Sequence, residues 1–260
     1  ASTSTRRNTR TTIAAAAAAS NDDDSLFITH KLSNQEQSTN PKVVERNVMK
    51  QAKILGCSID LAMLHSPLTD KSRRLASYEA LQNLQAKQKI KAVGVCHFGL
   101  GPLEELMDAG LPPPAVIQLT QSPFHQHSEI VEWAQQHGST ISCSAWSKLS
   151  SQEGPRQGWA KVGEVAAAHN NNVTKQQVLI RWALQKGYAC VPRSSSKYKV
   201  ERMAIQENSW MAIQQFSLTD DEMKLLDRLD ERIPAGRLGL LDGWDAADIV
   251  DEQWDPTLIA

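Results

Sequence analysis

Two side chains in this sequence stand where chemistry is easily done, each at the end of an apolar run. They are the lysine of LFITHKL, Lys31, and the histidine of IDLAMLHSP, His65. An ammonium group and an imidazole can polarise a carbonyl oxygen or support a general acid, and both act best when a rigid element holds them. Each later apolar run also ends in polar or aromatic groups: Cys96-His97, then Gln118, then Trp146-Ser147, then Arg193-Ser194. Arg193 followed by hydroxyls suits a phosphate monoester, which a guanidinium can hold with two parallel hydrogen bonds. Any one of these is an ordinary strand terminus. Their recurrence at every terminus asks for an architecture that gathers them.

The runs are 26–29, 59–65, 90–96, 115–120, 140–146 and 188–192, and segments of helical period lie between them. Pro41 suits a first helical position and Gly56 a helix end, with Val44, Val48 and Leu55 on one face. Leu75, Tyr78, Leu81 and Leu84 form a second stripe, Leu103 and Leu106 a third that ends at Gly110, and Ser128 to Gly138 a fourth. Thr174 with Gln177, and Thr219 with Glu222, have capping-box spacing. Strands alternating with helices across short connections predict right-handed βαβ units and a parallel sheet. No G-x-G-x-x-G follows a strand, which speaks against a dinucleotide fold of the Rossmann type. The expected class is therefore α/β, a (β/α)8 TIM-barrel type that is missing units, with about six parallel strands and chemistry at the strands' C-terminal ends.

Composition narrows the function. The 260 residues carry 28 basic and 29 acidic side chains, so the balance does not select nucleic acid or an anionic membrane as a partner. No run reaches the roughly 18 apolar residues of a bilayer span. Cys57, Cys96, Cys143 and Cys190 lack metal-ligand spacing, which predicts reduced thiols and no metal site. These features suit a cytoplasmic monomer acting on small molecules. Residues 1–24 form a low-complexity segment rich in Arg, Ser, Thr and Ala, equally compatible with organelle import, a tail or the end of a helix. The remainder, 25–260, reads as one barrel-like domain with a C-terminal loop from about 232.

LFITHKL, LGCSIDLAMLHSP, KIKAVGVCHF, PAVIQLTQSPFH, VTKQQVLIRWALQKGYACVPRSSS and FSLTDDEMKLLDRL together resemble the aldo-keto reductase family, in the family's order. The resemblance implies that the barrel is N-terminally truncated. It also implies NADPH-dependent reduction of aldehydes or ketones, with NADP(H) as cofactor and a small carbonyl compound as substrate. It places Lys31 and His65 in the catalytic set. It assigns the nicotinamide end to His97, Gln118, Trp146 and Ser147, the 2′-phosphate to Arg193 and Ser194, and adenine contacts to Glu207 and Asn208. Lys199 and Arg202 compete for the second phosphate contact. The family's tyrosine acid and its aspartate, expected upstream of LFITHKL, have no counterpart there, and Tyr78, Tyr188 and Tyr198 all lie later. Two readings therefore stand: a reductase of this family whose own turnover is doubtful, or a non-catalytic member that binds nucleotide or a partner.

Overall fold

A computed structural model describes residues 26–68, 70–144, 156–169, 173–191 and 213–229. Strands β1 (Thr29–Leu32), β2 (Ile59–Leu64), β3 (Ile90–Cys96), β4 (Val116–Leu119), β5 (Thr140–Ser144) and β6 (Ala189–Val191) follow one another in chain order in a single sheet. Helices α1 (Pro41–Leu55), α2 (Lys71–Ala86), α3 (Leu100–Asp108) and α4 (Ser128–His137) each occupy one crossover. Helices α5 (Arg156–Ala168) and α6 (Lys175–Gln185) share the crossover between β5 and β6, and α7 (Asp220–Asp227) follows β6. The six-unit α/β expectation holds. The chain divides into two compact units between Val116 and Ile117.

In the first unit, β1, β2 and β3 pair in parallel. Thr29 stands opposite Leu61 and Leu61 opposite Ala92, while Lys31 stands opposite Met63 and Met63 opposite Gly94. Side chains alternate across a strand, so these rows share one face. On it Leu61, Met63 and Cys96 form a buried cluster against Ala92 and Val116. A Cβ on Gly94 would lie 2.7 Å from the Val116 carbonyl oxygen and 3.0 Å from Met63 Cε, so only glycine fits this row. On the other face Leu32, Ala62, Leu64, Val93 and Val95 are buried, and α2 packs on β2 and β3. Val44 and Val48 of α1 and Tyr78, Leu81 and Leu84 of α2 are almost fully enclosed. Each such aliphatic contributes roughly 1.5–3 kcal/mol by leaving water. The ends of α1 follow the sequence: Asn40 accepts from Lys42 N at 3.1 Å, Pro41 takes the first position, and Gly56 closes the helix at φ 75°.

One boundary differs from expectation. The strand in LFITHKL begins at Thr29, and Leu26 and Phe27 are 48% and 66% exposed. The carbonyl of Ile28 accepts from the Leu61 N–H at 3.1 Å, while its backbone N–H donates to the carboxylate of Asp60 at 2.6 Å. Burial works against the charge of Asp60, yet that N–H and the Lys91 ammonium at 2.7 Å outweigh it and hold the carboxyl below its usual value. The run is thus anchored by a buried charge, and only Leu32 of β1 is fully enclosed.

In the second unit β5 and β6 pair in parallel, with Ser142 opposite Ala189 and Cys143 opposite Cys190. Both capping boxes form. Thr174 N donates to Gln177 Oε1 at 2.7 Å and Gln177 N to Thr174 Oγ1 at 3.2 Å, and Thr219 and Glu222 repeat the arrangement. Helix α6 buries Val178, Leu179, Trp182 and Ala183. Asp227 of α7 accepts from Trp182 Nε1 at 2.8 Å and pairs with Lys186 at 2.7 Å, which ties the two helices together. All four cysteines are free thiols. Among the described residues no helix is long and apolar enough to cross a membrane.

Candidate functional site

The C-terminal ends of β1, β2 and β3 bring Lys31, His65, Cys96 and His97 into one part of the first unit. Lys31 is half-buried, on the face it shares with Met63. His65 follows β2, and its backbone N–H donates to the Leu32 carbonyl at 3.0 Å, so the β1–β2 ladder runs one step past the strand and fixes where the imidazole begins. The rings of His65 and His97 meet edge to face with centroids 6.3 Å apart. His97 is only 5% exposed and sits at φ 56°, a left-handed backbone unusual outside glycine, where the chain turns sharply off β3.

Cys96 is fully buried, and burial pushes its thiol up to about 11 although the Lys31 ammonium beside it pulls the other way. The thiol in turn donates weakly to Met63 Sδ at 4.0 Å. The Lys31–Cys96 pairing was not legible as a contact in the sequence, which placed Cys96 only beside His97. Its signal was the alternation along β3: Cys96 is two residues past Gly94, the glycine in line with Lys31 and Met63.

A second feature passed over in the sequence is the pair Arg73-Arg74 in the first turn of α2. Cations are disfavoured at a helix N-terminus, so two consecutive arginines there needed a reason. Arg73 donates to the backbone carbonyls of Gln37 at 3.0 Å and Asn34 at 2.8 Å, in the loop after β1. Arg74, 4% exposed, donates to the carbonyls of Pro67 at 2.8 Å and Leu68 at 2.6 Å, in the loop after β2, and is neutralised by Glu105 of α3. The two loops are also joined directly, by Gln37 Nε2 to the Ser66 carbonyl at 2.9 Å and by Ser66 Oγ to Asn34 Oδ1 at 2.7 Å.

In the second unit Gln118 is buried at the end of β4 and donates from Nε2 to Ser142 Oγ at 3.1 Å. Of the other positions expected to meet cofactor, Trp146, Ser147, Arg193, Ser194, Glu207 and Asn208, with Lys199 and Arg202, lie outside the described residues. Two tyrosines are described. Tyr78 is enclosed in α2, its hydroxyl donates to the Pro112 carbonyl at 2.9 Å, and burial holds it above its ordinary range. Tyr188 precedes β6, at the strand's N-terminal end, with its ring edge-on to Trp182. Neither occupies the C-terminal end of a strand.

Residues 7–231 match the family model described as Aldo/keto reductase family. The chain is 32% identical over 210 residues to a 9,11-endoperoxide prostaglandin H2 reductase of Trypanosoma cruzi, covering 79% of this chain and 68% of the relative. It is 31% identical over 212 residues to a glyoxal reductase of Bacillus subtilis, covering 80% and 70%. Among solved structures it is similar to a mutant of Gox0644 in complex with NADPH, at TM-score 0.68 and 27% identity, over 81% of this chain and 73% of that one. The fold also matches MGS-M4, an aldo-keto reductase from a Medee basin deep-sea metagenome library, at TM-score 0.71 and 22% identity over 86% and 78%.

Proposed function

Because the chain belongs to the aldo/keto reductase family, we propose that its site serves NADP(H)-dependent reduction of small aldehydes and ketones, with Lys31 and His65 as the groups that face the carbonyl oxygen. The observation that carries this reading is their placement on adjacent strand ends of one parallel sheet, Lys31 on β1 and His65 one residue past β2. A cation and an imidazole held there can stabilise negative charge developing on a carbonyl oxygen. Lys31 supplies fixed positive charge, and His65 orients the oxygen through a ring nitrogen.

His97 in the first unit offers ring nitrogens that suit a nicotinamide carboxamide. Gln118, whose amide is oriented by Ser142, is assigned a cofactor contact by the family pattern alone. The reduced cofactor, when bound, supplies the hydride. Trp146 and Ser147 are proposed to face its ring, Arg193 and Ser194 its 2′-phosphate, and Glu207 and Asn208 its adenine, all on the strength of the family pattern.

The proton is the weaker half of the reading. Both described tyrosines are engaged away from strand C-terminal ends, and burial makes the Cys96 thiol beside Lys31 too weak an acid to serve readily. These observations favour a second reading, a member that binds nucleotide without turning over carbonyls. The two separate when NADPH binding, followed by tryptophan fluorescence, and NADPH oxidation with a reactive aromatic aldehyde are measured on the same preparation. Binding without oxidation selects the second reading, both together select the first, and neither removes both.

A further inference from the structure

We propose that Arg74, with Arg73 beside it, is a positioning residue for His65, holding the segment that follows this histidine in a conformation it would not adopt alone. The inference rests on the reading of Lys31 and His65 as the carbonyl-facing pair. Three consecutive residues after His65 have their carbonyls held by side chains from other elements: Ser66 by Gln37, and Pro67 and Leu68 by Arg74. Leu68 sits at φ 57°, a left-handed conformation costly for a branched-chain residue, and such a conformation persists only where its surroundings over-determine it. The over-determining group is Arg74. Its planar fork reaches both carbonyls from one nitrogen and Glu105 Oε2 from Nε at 3.2 Å, so the direction of the fork is set by a carboxylate on a third element.

Arg73 completes the device from the other side. It holds the Gln37 and Asn34 carbonyls, and Asn34 and Gln37 are the two side chains that hold Ser66. Two neighbouring guanidinium groups therefore fix the loop after β1 and the loop after β2, and the two loops fix each other. His65 is the residue between the last rung of the β1–β2 ladder and this clamp. Its imidazole is thereby held from both directions along the chain. An ammonium could replace the charge of Arg74 but not the fork.

The test is histidine-selective NMR of the imidazole carbon–proton signals through a pH titration, in wild type, Arg74→Lys and Arg74→Met, with His65→Gln to assign the signal. The expected result is that the His65 signal shifts and broadens in both variants, while that of His137, whose ring contacts Trp133 on its own helix, stays where it was. Arg74→Lys should not restore the His65 signal, which separates positioning from mere neutralisation of Glu105. If Arg74→Met fails to fold, Arg74→Lys decides. A His65 signal unchanged in position, width and titration in folded Arg74→Lys overturns the proposal, as does an equal shift of every histidine. Addition of NADP+ to the wild type tests the other reading separately: absence of any His65 response counts against the proposed function, and leaves the dependence on Arg74 as measured.

Discussion

Lys31 stands beside the fully buried Cys96 on the sheet face they share, and its ammonium pulls the thiol down against the rise that burial imposes. Met63 lies between their strands and touches the same sulfur. The thiol is a soft, neutral neighbour for the Lys31 charge, and burial keeps it protonated.

The charge of Lys31 should be visible in turnover. With neither described tyrosine at a strand's C-terminal end, this chain is expected to reduce a reactive aromatic aldehyde very slowly, since a positioned general acid is worth about 10²–10⁴ in rate. Lys31→Met should remove whatever NADPH oxidation is measured. Robust turnover that survives this substitution would end the assignment of Lys31.

Cofactor choice should follow Arg193. NADPH is expected to quench tryptophan fluorescence at lower concentration than NADH, and Arg193→Ala should bring the two titrations together. Equal affinities in the unsubstituted protein would refute the phosphate site.

Gly94→Ala tests the close approach of strands. With a Cβ 2.7 Å from a backbone oxygen, relief requires the strands to part. The expected loss is about 1–3 kcal/mol, the usual cost of overpacking, read from urea unfolding. A neutral result would mean that the Gly94–Val116 approach is not a constraint.

Acid should destabilise the second unit through His127. Burial, with His125 adding to it and a hydrogen bond with the Thr120 carbonyl opposing, pushes its imidazole down to about 3 from 6.5. A histidine held neutral in the fold stabilises fully above its unfolded value, and that stability is lost as pH falls from 6.5 towards 3. Between pH 6.5 and about 5 the loss is roughly 2 kcal/mol. His127→Gln should flatten that part of the stability–pH curve, and an unchanged slope would remove His127 as its source.

Strand order, helix positions and caps were legible because each has a local cause: Pro41 at a first helical position, Gly56 at a left-handed end, Thr174 and Thr219 three residues before their partners. Lys31 and His65 were legible because they end runs whose period is plain. What escaped were relations between segments. The Asp60 carboxylate accepts from the Ile28 N–H at the start of β1, more than thirty residues away in the chain, and no periodicity encodes that. Arg73 and Arg74 gave no signal in the sequence because their partners are backbone carbonyls that every residue possesses.

The arginine pair also limits how this chain can change length. Consecutive residues on an α-helix point about 100° apart, and here that angle directs one guanidinium to each of two loops. Loops themselves usually absorb added or lost residues with little harm. One residue inserted or deleted between Asp70 and Arg73 would instead turn both arginines together by about 100° and release both loops at once. An insertion just past Arg74 would spare the arginines but turn Tyr78, Leu81 and Leu84 out of their buried positions, so the whole of α2 has a fixed length.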